Sequence, residues 1–480
     1  MSRAERAKRQ QRFDDIKHTV RKGEGLLEVA VLSYIYYIIW RICYGEEGFY
    51  NYLGNGKYVL IGVYALLVFI LFLYCDSFQY GHLKIGDVVI SQCISMSIVN
   101  FITYFQLCLM ANKMINALPM LGLCAIDFFL ASIFTFLFTI IYHHYYLPRH
   151  MAMVYGNENA ITLKVKMDSR SDKYKIDSLI SIGIGFQKIC EEIVKYDAVV
   201  INDVPAQIRN DILKFCYQNG IRTYVTPKLS DIMTRGADDI TLFDTPLLLV
   251  KGQGLSLEQR FVKRTMDIVL CLIAMIPATP IMLIVAAAIK LEDRGPVFYR
   301  QKRVTKDGRV FDILKFRSMI VNAEKEGRSI PATDHDPRIT RVGKMIRATR
   351  IDELPQILNI LSGSMSVVGP RPERTEHMEK YSREIPEFVY RTKVKGGLTG
   401  FAQIYGKYNT SAYDKLRLDL MYIENYSLLL DIKLILMTIR IVFKPEATEG
   451  FDKVISLDSL KEKNILTEEI DKSWQGPYQV

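Results

Sequence analysis

Four long apolar segments near the N-terminus limit most strongly what this chain can fold into, and they lie at residues 26–44, 58–75, 88–111 and 118–142. The second segment contains no charged residue at all. About 20 consecutive apolar residues span the hydrocarbon core of a bilayer, so each segment is long enough for a membrane helix. The sequence therefore predicts a transmembrane region of four helices at 26–148.

The residues that precede the first apolar segment indicate the orientation of this region. Residues 1–22 contain eight Lys or Arg against three Asp or Glu, and basic flanks favour the cytoplasmic side. We expect a basic cytoplasmic arm at 1–25 and, after four crossings, a return of the chain to the cytoplasm. Asp127 in the fourth segment fits a hydrogen-bonding group that faces the bundle, and a functional intramembrane carboxylate is the alternative.

Strand-like and helical patterns alternate at residues 149–252. We predict strands in ITLKVKM, DAVVIND and IRTYVTP, and an amphipathic helix in AQIRNDILKFCYQNG that ends at Gly220. This alternation is typical of a Rossmann-like α/β module with a parallel sheet. The segment VYGNENA stands where a GxGxxG fingerprint is expected, so we predict a structural or regulatory module without a dinucleotide site.

A fifth uncharged segment occupies residues 268–289. A fifth crossing is the simple interpretation, but it would export the segment 290–350, in which sixteen Lys or Arg face eight Asp or Glu. Pro277 and Pro280 each remove a helix hydrogen bond near the middle and favour a bend. We therefore predict a re-entrant helix at 266–290 that enters and leaves the membrane by the same face.

A cation-rich pattern of strand, turn and strand follows in EDRGPVFYRQKRVTKDGRVFDILKFRSM, residues 292–319. Lys315 and Arg317 are its candidate phosphate-binding residues, because a guanidinium or ammonium group pairs well with phosphate oxygens. A solvated basic hairpin is the alternative. The net charge of +10 indicates anionic partners, but nucleic acid is not expected because no motif for it is recognised.

Two adjacent carboxylates, Asp352 and Glu353, precede a proline in IDELPQILNIL. Proline is tolerated in a first helical turn, so a helix is predicted to start near Asp352 or Leu354, with the pair at its positive end. Ordinary helix capping is one interpretation of the pair. A catalytic pair is the other, because adjacent helical residues point about 100° apart and can do different tasks, such as nucleophile and metal or proton partner.

Five motifs in this chain occur in a fixed order within residues 260–445: KFRSM, DPRITRVGK, IDELPQILNIL, SVVGPRP and GGLTGFAQ. Together they resemble the bacterial sugar transferase family, the monotopic polyprenyl-phosphate hexose-1-phosphate transferases. The preceding membrane helices and α/β module resemble the large form that initiates exopolysaccharide, capsule or O-antigen synthesis. The expected fold is a membrane α-helical bundle, a Rossmann-like α/β module and an α+β monotopic catalytic domain at 253–450, followed by a tail at 451–480.

The resemblance implies a reaction at the bacterial inner membrane, with the catalytic domain facing the cytoplasm. A sugar-1-phosphate passes from a UDP-sugar to undecaprenyl phosphate and UMP leaves, through a covalent phosphosugar–aspartate intermediate and with Mg²⁺ as cofactor. By motif match, Asp352 is the nucleophile and Glu353 its partner, and both are expected metal ligands. Arg347 and Arg371 match the phosphate-handling arginines of the family. A homodimer is also expected from the family.

Further positions follow from the same motifs. Thr279 and Pro280 match the small-residue–proline break of the re-entrant helix, next to Pro277. Gln403 and Arg391 are candidates for contact with the donor. The chain reads Gly363-Ser364-Met365-Ser366 where common members read GDMS, so Ser364 is given no metal role.

Two other functions compete with this one. A membrane-anchored nucleotide-sugar dehydratase or epimerase needs a glycine fingerprint and a helical YxxxK motif. The two YxxxK matches, Tyr80–Lys84 and Tyr224–Lys228, stand in unsuitable contexts. A non-catalytic scaffold or regulator of polysaccharide assembly would keep the acidic pair and the proline–arginine–proline turn only as elements of the fold.

Overall fold

The structure is a computed structural model that describes residues 3–49, 55–145, 148–157, 159–252, 254–321, 336–406 and 410–442. These residues form two compact units, of which the first ends at Thr226 and the second begins at Pro227. The predicted tail at 451–480 lies outside the described residues.

Each of the four predicted apolar segments forms a long helix in the first unit. These helices are α1 (Arg3–Ile39), α2 (Gly56–Tyr74), α3 (Ile85–Ala111) and α4 (Leu118–Tyr145), and α1 continues as a π-helix over Trp40–Phe49. All four contain stretches long and apolar enough to cross a membrane. Large apolar side chains such as Leu109 and Phe129 stay exposed on their outer faces, as expected for surfaces that face lipid.

Polar side chains connect the helices inside this bundle. The carboxylate of Asp127 is fully buried and accepts a hydrogen bond of 2.8 Å from the amide of Asn100, which in turn accepts one of 2.9 Å from the hydroxyl of Tyr64. The prediction of a bundle-facing hydrogen-bonding group at Asp127 is therefore confirmed. Glu28 is buried in the same way and accepts hydrogen bonds from Tyr80 and Gln92.

A four-stranded parallel sheet completes the first unit. Its strands are β1 (Arg149–Tyr155), β2 (Tyr174–Ser181), β3 (Ala198–Asn202) and β4 (Arg222–Val225), in the spatial order β2-β1-β3-β4. The connecting helices are α5 (Asn159–Asp168), α6 (Phe186–Ile193) and α7 (Ala206–Gln218). The predicted strands in DAVVIND and IRTYVTP and the predicted helix before Gly220 are confirmed.

The strand predicted in ITLKVKM is wrong, because this segment forms most of α5. Its apolar residues alternate along the chain, which imitates a strand. The helix instead packs Ala160, Leu163 and Met167 against the sheet, and the spacing of three and four residues places these side chains on one helical face. Packing against β1 and β2 therefore overrides the alternation.

The second unit mixes helices with three two-stranded sheets. Its elements are α8 (Leu229–Arg235), β5 (Asp238–Leu242), β6 (Thr245–Leu249), α9 (Leu257–Asp293), β7 (Phe298–Val304), β8 (Val310–Phe316), α10 (Arg341–Ala348), α11 (Gln356–Leu361), β9 (Ser366–Val368), α12 (Thr375–Glu384), β10 (Gly397–Thr399), α13 (Phe401–Tyr405), α14 (Ala412–Glu424) and α15 (Leu428–Val442). The pairs β5–β6 and β7–β8 are antiparallel, and β9–β10 is parallel. Ile232 of α8 is buried in the core of this unit, so α8 belongs here and not with the parallel sheet.

Helix α9 contains the fifth apolar segment and runs without interruption through Pro277 and Pro280. It begins with a capping box, in which the hydroxyl of Ser256 accepts from the amide of Gln259. The hydroxyl of Thr279 donates to the carbonyl of Met275 at 2.7 Å. By length and composition, α9 is also able to cross a membrane.

One face of α9 packs along the second unit for much of its length. Near its start, the ammonium of Lys263 lies 2.6 Å from the carboxylate of Asp431. Near its end, Glu292 accepts from the backbone amide of Arg341 at 2.8 Å. Between these points, the buried side chains of α9 belong to the same cores as β8, α10 and α11, and they are Cys271, Ala278, Val285 and Ile289.

Candidate active site

Strand β8 delivers the first cation of the site. Lys315 is the sixth residue of this strand, and its ammonium donates to Oε1 of Glu353 at 2.6 Å. The strand is fixed by Asn359 of α11, which accepts from the amide of Leu314 at 2.8 Å and donates to the carbonyl of Asp312 at 2.9 Å. Asn359 thus fixes β8, next to Lys315, against the helix that follows the acidic pair.

The acidic pair itself lies in a 3₁₀ turn, Ile351–Glu353, immediately before α11. Arg350 precedes the turn in the left-handed region with φ +54°, which redirects the chain out of α10. The predicted helix start is therefore displaced, since α11 begins only at Gln356 and has six residues. So short a helix has a weak dipole, and the charges around the pair must come from side chains.

Glu353 is tightly paired. Besides Lys315, the guanidinium of Arg371 donates to the same Oε1 atom at 3.0 Å. Burial alone would raise the pKa of Glu353, but the charges of Arg371 and Lys315 outweigh it and lower the pKa to about 2. Glu353 is therefore an ionised anchor that fixes two cations.

Asp352 has different surroundings although it is the next residue. Its nearest recorded cation is Lys315, at 3.9 Å from Oδ2. Burial raises the pKa of Asp352 above its ordinary value, and the charges of Lys315, Arg347 and Arg371 only partly oppose this effect. The two carboxylates therefore differ in basicity, because the pKa of Asp352 is raised above its ordinary value and the pKa of Glu353 is lowered below its own.

The two arginines predicted to handle phosphate both lie near the pair. Arg371 stands between Pro370 and Pro372, and its side chain is 47% exposed, so a ligand can reach it. Arg347 is exposed on α10, and its charge acts on Asp352. Lys315 and Arg371 thus contact the acidic pair directly, and Arg347 acts on Asp352 through its charge.

Arg317 lies elsewhere. Its guanidinium makes a two-pronged ion pair with Asp293 at the end of α9 and donates to the carbonyl of Pro296 at 2.7 Å. Only 8% of its side chain is exposed. Strand β8 ends at Phe316, so the alternation that would place Arg317 on the same face as Lys315 no longer applies. These contacts support a structural role for Arg317.

Gln403 and Arg391, the candidates for contact with the donor, are both engaged in contacts within the protein. The amide of Gln403 donates to the carbonyl of Leu398, within its own turn, at 3.0 Å. The side chain of Arg391 is only 4% exposed and pairs with Asp419 and Glu373. Neither side chain has a described contact with the acidic pair. The sequence-based reasoning missed Asn359, whose signal was a polar residue within the apolar run of IDELPQILNIL.

The donor set of the site suits a hard divalent cation. Asp352 and Glu353 supply carboxylate oxygens, which Mg²⁺ prefers, and Mg²⁺ typically takes only one or two carboxylates and completes its shell with water and phosphate. In the described parts of the chain, no group of three or more His, Cys, Asp or Glu residues could hold a metal by itself. A magnesium ion at this pair would therefore complete its shell with water or substrate phosphate.

Comparison with known proteins covers the part of the chain that carries this site. The family profile described as "Bacterial sugar transferase" matches residues 258–445, which contain every residue of the site. A Caulobacter vibrioides protein named UDP-glucose:undecaprenyl-phosphate glucose-1-phosphate transferase is 42% identical over 183 residues, 37% of this chain and 68% of that protein. The chain belongs to the bacterial sugar transferase family.

Two further relatives match over about half of this chain. An Aeromonas hydrophila protein named UDP-N-acetylgalactosamine-undecaprenyl-phosphate N-acetylgalactosaminephosphotransferase is 40% identical over 260 residues, 52% of this chain and 59% of that protein. A Klebsiella pneumoniae UDP-glucose:undecaprenyl-phosphate glucose-1-phosphate transferase is 38% identical over 248 residues, 51% of each chain. The chain thus spans between half and three fifths of the lengths of these two relatives.

Proposed function

We propose that this protein transfers a sugar-1-phosphate from a UDP-sugar to undecaprenyl phosphate and releases UMP, as the initiating step in the synthesis of a bacterial surface polysaccharide. The observation that carries the proposal is the unequal environment of two adjacent carboxylates. Glu353 is held ionised by Lys315 and Arg371, while burial raises the pKa of Asp352. Such a division suits one anchoring and one reacting carboxylate.

Asp352 is the better nucleophile of the two. Nucleophilicity of an oxygen or sulfur anion rises with its basicity, and Glu353 with a pKa of about 2 is strongly deactivated. Among the residues that the structure describes, the cation nearest to the carboxylate of Asp352 is Lys315 at 3.9 Å, a looser pair than the one Lys315 makes with Glu353 at 2.6 Å. The carboxylate of Asp352 is therefore available to a phosphorus atom placed beside Lys315 and Arg371.

The reaction then has two balanced steps. An oxygen of Asp352 bonds to the β-phosphorus of the UDP-sugar, the bond from that phosphorus to the bridging oxygen breaks, and UMP leaves with the electron pair. The phosphate of undecaprenyl phosphate next attacks the same phosphorus and the aspartate leaves as a carboxylate, which gives undecaprenyl diphosphate sugar. Lys315 and Arg371 offer fixed donors to the phosphate oxygens, where negative charge builds up.

Asp352 and Glu353 are the residues that would hold Mg²⁺ when it is bound, together with phosphate oxygens. The ion would supply neutralisation of phosphate charge, so that an anionic carboxylate can approach an anionic substrate. Without such neutralisation, the carboxylate and the diphosphate repel each other.

A lipid acceptor requires the site to lie at a membrane face, and the packing of α9 supports this. A crossing helix would place its two ends on opposite sides of the bilayer. Both ends of α9 instead bind the same unit, through Lys263 near the start and Glu292 near the end. Its other face exposes Leu272, Ile276 and Ile284. We therefore propose that α9 enters and leaves the membrane by one face, which makes the domain monotopic.

The orientation of the protein in the membrane and its oligomeric state are proposed by analogy with the family. The catalytic domain faces the cytoplasm of the inner membrane, where UDP-sugars are made, and the N-terminal helices cross it four times. The parallel sheet with its connecting helices acts as a Rossmann-like structural or regulatory module, and the protein is a homodimer.

The nucleotide that is released tests the proposal. Purified full-length protein is mixed with Mg²⁺, undecaprenyl phosphate and, separately, UDP-glucose, UDP-galactose and UDP-N-acetylgalactosamine. Release of UMP from one donor, lost on addition of a chelator, is the expected result and identifies the sugar. Release of UDP would mean ordinary glycosyl transfer, and no release from any donor would favour a non-catalytic scaffold.

A further inference from the structure

We propose that Arg391 is a positioning residue that holds the backbone of Arg371 and thereby directs its side chain to the phosphate site. This proposal rests on the proposed function, in which Arg371 binds phosphate. Arg391 is 20 residues away from Arg371 in the sequence, and its Nη2 donates to the carbonyl oxygen of Arg371 at 3.0 Å.

The proline–arginine–proline turn is fixed at each of its carbonyl groups. The carbonyl of Pro370 accepts from the amide of Gly397 at 2.9 Å, and the carbonyl of Arg371 accepts from the side chain of Arg391 at 3.0 Å. The carbonyl of Pro372 accepts from the side chain of Arg303 at 3.1 Å. The carbonyl of the next residue, Glu373, accepts from the amide of Val304 at 3.0 Å. The two prolines restrict φ on either side of Arg371. The central carbonyl depends on Arg391 alone among these recorded contacts, so Arg391 fixes the residue that carries the phosphate-binding side chain.

Arg391 is itself held from several sides. Its Nε and Nη2 lie 2.9 and 2.7 Å from Oδ2 of Asp419, and its Nη1 lies 3.3 Å from Glu373. The ring of Phe388 covers the guanidinium at 4.9 Å. With 4% of its side chain exposed, Arg391 is inaccessible to a donor, and its role passes through Arg371.

Only an arginine can make this set of contacts. Its planar fork reaches Asp419, Glu373 and the carbonyl of Arg371 from one rigid group. A lysine keeps the charge and has three N–H donors, but they share one nitrogen that stands about where the guanidinium carbon stands. This nitrogen cannot be within hydrogen-bond distance of both carboxylates and the carbonyl at once. Arg391→Lys therefore removes the positioning contact and retains most of the electrostatic balance.

The test compares Arg391→Lys with a chemically matched control. Arg170 also makes a two-pronged ion pair, with Asp172, and also donates to a carbonyl, that of His82 at 2.9 Å, but it lies in the first unit. With the three UDP-sugars above as probes, we expect Arg391→Lys to lower kcat/KM for UMP release about 10- to 100-fold, and Arg170→Lys to leave it unchanged.

A double-mutant cycle separates positioning from a merely structural role. If Arg391 acts through Arg371, then Arg391→Lys has no further effect in an Arg371→Ala background. Losses that multiply would contradict the proposal, because a structural defect adds to the loss of Arg371. Wild-type activity in Arg391→Lys would also overturn it. A soluble, folded Asp419→Asn, which keeps one acceptor for Arg391, should lie between wild type and Arg391→Lys.

Hydrogen exchange gives a readout that needs no activity. Arg391→Lys should speed exchange of the amide of Gly397, which binds the carbonyl of Pro370, while Arg170→Lys should not. Equal exchange in both variants would show that Arg391 does not hold the turn. If wild-type protein releases no UMP from any donor, the proposed function fails, and this measurement still decides whether Arg391 fixes Arg371.

Discussion

Lys315 and Glu353 are 38 residues apart in the sequence, and the ammonium of one lies 2.6 Å from the carboxylate of the other. Both side chains are largely buried, with 20% and 16% exposed. Their pairing joins strand β8 to the turn that carries the acidic pair. It also leaves the neighbouring Asp352 less neutralised, so one ion pair gives two adjacent carboxylates different properties.

The first prediction follows from this difference. Asp352→Asn should lower the rate of UMP release by about 10⁴-fold, because the nucleophile is lost, while the protein still folds. Glu353→Gln should lower the rate by about 10²-fold, because Lys315 and Arg371 lose their anchor but the nucleophile remains. Steady-state kinetics on purified variants measures both rates. A larger loss of rate in Glu353→Gln than in Asp352→Asn would indicate that Glu353 is the nucleophile and Asp352 the anchor.

Arg317 gives a second prediction, in which stability changes and substrate binding does not. The guanidinium of Arg317 lowers the pKa of Asp293 to about 2, and a lysine cannot make the two-pronged pair. Arg317→Lys should therefore lower the thermal unfolding midpoint in detergent, with an unchanged KM for the UDP-sugar. A raised KM for the UDP-sugar with an unchanged unfolding midpoint would contradict this and indicate that Arg317 binds phosphate.

The pH dependence of stability gives a third prediction. Burial raises the pKa of Asp419 from 3.8 to about 6. The positive charges of Arg391 and Lys415 oppose this rise, and the negative charge of Glu373 adds to it. Between these two values the folded chain binds a proton that the unfolded chain does not. The contribution of Asp419 to stability is thus complete below 3.8 and is lost as the pH rises through 6.

Asp419→Asn tests this sign. Unfolding midpoints of wild type and variant are measured in nanodiscs at several pH values from 5 to 8, which spans the raised pKa. The difference between the two unfolding midpoints should change as the pH passes 6, because wild type gains stability relative to the variant on acidification. A wild type that loses stability relative to the variant on acidification would mean that the Arg391 pair outweighs burial.

The topology of α9 gives a fourth prediction. Leu257 and Leu291 stand near its two ends, with 77% and 85% of each residue exposed. Single cysteines at these positions, in a background without other cysteines, should both react with a membrane-impermeant maleimide from the same side of sealed vesicles. Reaction from opposite sides would show a true fifth crossing and would contradict the monotopic domain.

Local patterns predicted much of the fold. The four apolar segments, the helix before Gly220 and two strands of the parallel sheet each follow from runs or periods that decide a structure without distant partners. ITLKVKM failed because its residues satisfy both periods, and only packing of Ala160 and Leu163 against the sheet selects the helix. Such a choice is made by tertiary contacts that the segment itself does not contain.

The site shows the same division. The motifs contain Lys315, Asp352, Glu353 and Arg371, and the structure places these four residues in contact. The pairing of Glu353 with two cations joins three segments and is visible only in the structure. Arg317 was named because a guanidinium group suits phosphate, but the sequence does not show that Asp293, at the end of α9, pairs with it instead.

The most direct test of the central claim is the amount of UMP released when no acceptor is present. Full-length protein at micromolar concentration is mixed with Mg²⁺ and its UDP-sugar, without undecaprenyl phosphate. A covalent phosphosugar on Asp352 predicts a rapid burst that approaches one UMP per active site and then stops, and that is absent in Asp352→Asn. No UMP until undecaprenyl phosphate is added would mean direct transfer between the two substrates and would contradict the role of Asp352.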